Sequence, residues 1–176
     1  MIARTALLLA LLTAPDSVPG PPPVTTVPGV DLERYAGLWH EIARIPNRFQ
    51  DQCAGGTTAE YTLREDGRLD VVNRCRREDG EWDQAEGVAK VSDDGDRTRL
   101  KVSFVSFLGW RPFWGDYWII GLDDDYRWAV VGTPDREYGW ILAREPVLDD
   151  EAGRAVDAVL ERNGYDRADF VSSSSQ

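Results

Sequence analysis

Tyr35-Ala36-Gly37-Leu38-Trp39-His40-Glu41-Ile42-Ala43-Arg44-Ile45 is the stretch on which the reading of the fold turns. It sets a Gly two residues ahead of a Trp, where a proline-rich leader gives way to the first strand-like run. Beyond a loop at 46–56, residues 57–64 place Ala59, Tyr61 and Leu63 on one face, the period-two pattern of a half-buried strand. Glu65-Asp66-Gly67 turns into 69–74, and Glu78-Asp79-Gly80 turns into 82–91, where Ala85, Gly87, Ala89 and Val91 alternate with more polar partners. Asp-Gly is a strong hairpin signal. In 97–105, Leu100, Val102 and Phe104 alternate with Arg99, Lys101 and Ser103. Further strands read at 117–122, 126–132 and 137–144.

Eight strands thus follow one another, and a single helical pattern comes after them. Asp149 is its N-cap, Ala152, Ala155, Val156, Val159 and Leu160 form one apolar stripe, and Asn163-Gly164 ends it. One stripe predicts a helix laid on the outside of a sheet. Eight antiparallel strands fit a sandwich or a closed barrel. The short meander connections favour an all-β, eight-stranded antiparallel up-and-down barrel, which has no edges and is wide enough for side chains or one small ligand.

The 176 residues fit one domain. A formal net charge of −11 argues against nucleic acid as a partner. Residues 1–14 carry Arg4, an apolar run from Ala6 to Leu12, then Thr13 and Ala14, and read as a secretory signal. The run is too short to span a membrane. Residues 15–29 hold six prolines and read as an extended tether, residues 30–170 as the domain, and the serine-rich tail at 171–176 as disordered. Cys53 and Cys75 are the only cysteines, an even count that in an exported chain points to a disulfide. With one further metal-binding side chain of the His/Cys type, His40, no zinc site is expected. Nothing resembles a phosphate loop or a nucleophile–base motif, so no cofactor is expected.

These residues resemble the lipocalin family, and within it the bacterial outer-membrane branch that is similar to apolipoprotein D and to plant temperature-induced lipocalins. Gly37-Leu38-Trp39 matches the family's Gly-x-Trp, and Arg144 matches its lone basic residue at the end of the last strand. Leu122-Asp123, with Tyr126 three positions on, stands at the middle motif. Branch-level matches are Glu41 to Phe49, Val71 to Cys75, Leu100 to Phe104 and Pro134 to Tyr138, so the resemblance runs over roughly residues 28–170. It implies a calyx that binds fatty acids or lysophospholipids. Bacterial members with an acylated N-terminal Cys differ here, since no Cys lies near the leader's end. The expected form is periplasmic or secreted, or outer-membrane associated without an N-terminal lipid anchor.

With the first strand rising from a closed base, the odd-numbered connections fall at the open mouth. Cys53 and Cys75 then lie at one end as neighbours, and their disulfide contributes about 3 kcal/mol in the chain-entropy model. Gly37, Trp39 and Arg144 read as structural, with Trp39 plugging the base and the Arg144 guanidinium stacked on it. The expected lining is Ala59, Tyr61, Leu63, Ala85, Gly87, Ala89, Leu100, Val102, Phe104, Tyr117, Ile119, Tyr138 and Trp140, unless these merely fill a dry core. Arg48 or Arg111 at the mouth would meet the ligand's head group. Base turns rich in Asp against mouth loops with Arg48, Arg76, Arg77, Arg111 and Arg136 give two readings, a polarised molecule whose mouth faces lipid, or simply soluble turns.

The leading functional reading is a non-enzymatic binder and carrier of single-chain lipids or similar small hydrophobic molecules in the cell envelope. An enzyme housed in the calyx, an isomerase or hydrolase, would need an interior acid/base pair, with Glu41 and Glu60 as candidates. A third reading is an interaction module using the aromatic loop 105–115, whether on a membrane surface or as a dimer contact. Monomer and homodimer both remain open.

Overall fold

Eight antiparallel strands follow one another around a closed wall in the computed structural model, which describes residues 20–106 and 108–173. They are β1 (Gly37–Arg44), β2 (Gly55–Leu63), β3 (Leu69–Arg76), β4 (Trp82–Val91), β5 (Arg99–Ser103), β6 (Gly115–Leu122), β7 (Trp128–Gly132) and β8 (Gly139–Ala143). Each pairs with its sequence neighbour, and β1 pairs with both β2 and β8, which closes the barrel and rules out the sandwich.

Alternation along the strands sorts the apolar side chains into two cores. Trp39, Tyr61, Leu69, Val71, Leu100, Ile119, Val131 and Leu142 point inward. Ile120, Trp128, Val130 and Ile141 point outward and meet Val156, Val159 and Leu160 of α2 (Asp150–Arg162), the helix read from the stripe. Strand β6 supplies both cores by alternation, and a bulge between Ile119 and Gly121 turns both Ile120 and Gly121 toward the helix. Gly121 is required there, because a Cβ would stand 2.7 Å from Val159 Cγ1. Asp149 caps the helix by accepting from Ala152 N at 2.8 Å.

Three terminal features differ from the sequence reading. Tyr35 does not open the first strand. It ends a single helical turn, α1 (Leu32–Tyr35), whose first turn Asp31 caps. Strand β1 then begins at Gly37, whose φ of +97° side chains with a Cβ rarely adopt.

The leader is docked rather than a free tether. Thr25 N donates to Asn163 Oδ1 at 2.8 Å, Val27 N donates to Ile119 O at 3.0 Å, and Val30 is buried. Prolines with fixed φ lower the entropy lost on docking, and Val24 and Val27 bring apolar surface to bury. Its first part, residues 15–19, lies outside the described residues, as does the signal reading for 1–14.

The tail is also ordered over its first residues. Val171–Ser172 form β9 against Ala43 and Arg44 of β1, and Ser173 N donates to Ile42 O at 3.0 Å. The reason lies in β1, which pairs with β2 only from Gly37 to His40 and leaves its upper edge for another strand. Residues 174–176 lie outside the described residues.

Candidate functional site: the barrel interior and its mouth

The base is sealed by Trp39 and Arg144. Trp39 has no exposed surface, and its Nε1 donates to Tyr35 O at 2.8 Å. The Arg144 guanidinium lies 3.8 Å from the Trp39 ring centroid. It donates to the carbonyls of Leu38 at 2.7 Å, Arg34 at 2.8 Å, Ala36 at 2.9 Å and Tyr35 at 3.2 Å. These are the groups that α1 and the start of β1 leave unpaired as the chain crosses the base. Burial lowers the Arg144 pKa from its ordinary value, but an arginine keeps its charge.

Above the plug, three phenols meet. Tyr117 OH bonds Tyr35 OH at 2.7 Å and Tyr61 OH at 2.8 Å. Burial pushes Tyr61 up to about 12, and burial with the neighbouring phenols raises Tyr35 and Tyr117 well above the ordinary tyrosine value. All three therefore stay neutral. Tyr61 and Tyr117, expected as lining, belong to this hydrogen-bonded floor. So does Leu100, which has no exposed surface, while Ala59 and Ile119 are buried beside it.

The mouth half is different. Phe104 is 40 % exposed and lies across Gly87, where a Cβ would stand 2.8 Å from its ring. Val102 is half-buried and Ala85 exposed. Trp140 stacks on Tyr138 with centroids 6.0 Å apart, and Tyr138 meets Phe49 on the first loop at 5.8 Å. This aromatic ladder leads from inside the barrel to its rim. The Cys53–Cys75 disulfide closes the same end, with Cα atoms 5.5 Å apart.

The sequence reading assigns no role to the polar residues on the inward face of the mouth half, apart from Glu41. Glu41 and Arg44 form an ion pair at 2.9 Å, with both side chains largely buried. Gln50 Nε2 donates to Glu41 Oε2 at 2.7 Å, and its Oε1 accepts from Trp140 Nε1 at 3.0 Å. Thr57 and Asn73 face the same space, in phase with Ala59 and Val71. The signal is present in the chain, since Glu41 follows Trp39 at the strand period and Thr57 precedes Ala59 at it. Glu60 does not join Glu41 as an interior pair. It lies on the other face of β2, bonded to Arg74 at 2.9 Å.

The rim arginines are mostly committed elsewhere. Arg111 donates to Ser103 O at 2.8 Å and holds its loop, Arg77 pairs with Asp79, and Arg136 donates to Asn163 O at 2.7 Å behind the end of α2. Arg48 is exposed and lies over the Phe49 ring. The turn acids do the same work at both ends. Asp66 and Asp123 at the base, like Asp79 and Asp135 at the mouth, accept from the backbone N–H two residues on. Loop 105–115, of which Phe107 lies outside the described residues, exposes Leu108 at 93 %, Phe113 at 69 % and Trp110 at 67 %.

A plugged up-and-down barrel with a helix on its outer wall and an aromatic rim defines a calyx protein, the architecture that encloses small molecules. The lipocalin-like domain model matches residues 30–175, and this chain belongs to that family. It is 43 % identical over 168 residues to the outer membrane lipoprotein Blc of Escherichia coli (strain K12), covering 94 % of this chain and 92 % of that protein. Temperature-induced lipocalin-1 of Arabidopsis thaliana is 39 % identical over 80 % of this chain and 76 % of its own length. Apolipoprotein D of Rattus norvegicus is 34 % identical over 78 % and 73 %. Among solved structures, insecticyanin from Manduca sexta superposes with a TM-score of 0.72 at 25 % identity, covering 89 % of this chain and 87 % of that one. Fold and family together support binding of small hydrophobic molecules. Among the described residues no helix is long and apolar enough to cross a membrane.

Proposed function

We propose that this protein is a non-enzymatic carrier of single-chain lipids, the class that includes fatty acids and lysophospholipids, in the bacterial cell envelope. The observation that carries it is the contrast inside one barrel. The base half is filled and sealed, whereas Val102, Phe104 and Trp140 in the mouth half keep surface for a ligand under an aromatic rim. Pockets of this kind are mostly apolar with a few polar anchors. The disulfide and the outer-membrane relatives support an exported protein. Native mass spectrometry of the purified protein, with extraction of what co-purifies, tests the reading. A bound single-chain lipid supports it. An empty protein whose tryptophan fluorescence is unmoved by lipid titration overturns it.

Leu108, Trp110 and Phe113 support a second element, contact of the mouth with a lipid surface, since exposed apolar clusters of this kind mark interaction sites. Co-sedimentation with phospholipid vesicles that is lost in Trp110→Ser supports it, and loss of a homodimer in that variant instead assigns the loop to self-association.

A further inference from the structure

Three buried polar atoms on the inward face of the barrel have no hydrogen-bond partner among the described residues: Arg44 Nε, Thr57 Oγ1 and Asn73 Oδ1. Buried polar atoms in folded proteins are nearly always partnered. Ala59 pairs with Trp39 on one side and Asn73 on the other, so Thr57, two residues beyond Ala59 toward the mouth, has Asn73 on its diagonal and continues the row that Glu41 begins on β1. Arg44 stands opposite Trp140 on the same inward face. Thr57 is 5 % exposed, and its hydroxyl both donates and accepts.

The formal charges here are already matched. Arg44 Nη1 donates to Glu41 Oε1 at 2.9 Å and to Ser173 Oγ at 3.0 Å, and Nη2 faces the carbonyls of Gln50 and Cys53 at 3.5 Å. Glu41 accepts in turn from Gln50 Nε2 at 2.7 Å and from Ser173 Oγ. A ligand carboxylate placed against this ion pair would give up its water and meet the Glu41 charge, whereas a hydroxyl brings no charge to desolvate. Several hydroxyls on one head group suit these atoms, since Arg44 Nε offers a donor, Asn73 Oδ1 an acceptor and Thr57 Oγ1 either. The facing wall, Gly87, Val102 and Phe104, is apolar and suits a chain.

We infer that Arg44, Thr57 and Asn73 form a polar subsite inside the calyx for the uncharged, hydroxyl-bearing glycerol head of a single-chain acylglycerol, in preference to a free fatty acid. This rests on the carrier reading and assigns its head group to the β1–β3 wall, away from Arg48 and Arg111 at the rim. Two sources share that chemistry, a neutral monoacylglycerol and the glycerol of a lysophospholipid.

The test is a tryptophan-fluorescence titration of the delipidated full-length protein at pH 8 with four ligands of one chain length. These are 1-monooleoylglycerol, 1-oleoyl-lysophosphatidylcholine, oleate and methyl oleate. Monooleoylglycerol should bind about tenfold more tightly than methyl oleate or oleate, the worth of one well-made buried hydrogen bond. Thr57→Val and Asn73→Leu should abolish the preference, bringing monooleoylglycerol and methyl oleate to within about twofold of each other. Thr57→Ser, which keeps the hydroxyl, should retain the preference and shows that the site still folds. Lysophosphatidylcholine equal to monooleoylglycerol assigns the lysophospholipid source, and weaker binding assigns the neutral glyceride. Equal affinities for monooleoylglycerol and methyl oleate, tightest binding of oleate, or a preference that survives both variants overturns the subsite. If all four bind alike, only this inference fails; if none binds, the carrier reading fails.

Discussion

The two ends of the barrel solve opposite problems. At the base, Arg144 takes four carbonyls and one indole face, Trp39 has no exposed surface, and the phenols of Tyr35, Tyr61 and Tyr117 satisfy one another. At the mouth, Thr57 and Asn73 keep unpartnered oxygens, and Phe49, Trp110 and Phe113 stand in solvent. A saturated end stabilises a fold, whereas an unsaturated end leaves chemistry for a partner.

The largest effect expected from breaking it is at the plug. Trp39→Ala should cost about 3–5 kcal/mol as a large-to-small core change, read as a lowered urea midpoint. An unchanged midpoint would remove Trp39 from the plug. Reducing the disulfide, or Cys53→Ser with Cys75→Ser, should cost about 3 kcal/mol, because the crosslink joins residues 22 positions apart and otherwise constrains the unfolded chain.

The phenol floor sharpens the comparison through pH. Unfolded tyrosines ionise near about 10. The folded chain holds Tyr61 to about 12 and the other two above their ordinary value, so above pH 10 the unfolded state binds fewer protons. Stability should be fully present below pH 10 and fall as pH rises through that window. Urea midpoints at pH 8, 10 and 11 check this, and Tyr117→Phe should flatten the decline. The smallest stability effect is expected at the rim, where Trp110→Ser should stay within about 0.5 kcal/mol while vesicle binding drops. A large loss of stability there would mean that loop 105–115 is packing rather than surface.

Much of the architecture is legible because it is written in periods. Strand alternation, Asp-Gly turns and the single stripe of α2 each follow from where side chains must point. The pairing of Cys53 with Cys75 follows from strand order, since odd connections share an end. The termini are not legible in this way, because their order depends on what receives them. Residues 171–173 carry no pattern of their own, yet Val171 and Ser172 fill the edge that β1 exposes above His40.

The inward polar residues show the same limit. Glu41, Thr57 and Asn73 sit at strand positions that the alternation assigns to the interior, but the sequence cannot say which of them find partners. Arg111 and Arg136 look alike in the sequence, as rim cations, and only the fold ties one to Ser103 and the other to the end of α2. By itself, then, the sequence determined the run of eight consecutive strands, the outer helix and the inward face, because these depend on local period and chain order. Which half is filled and which polar atoms stay free was decided by tertiary packing, because a hydrogen bond or a void belongs to residues far apart in the chain.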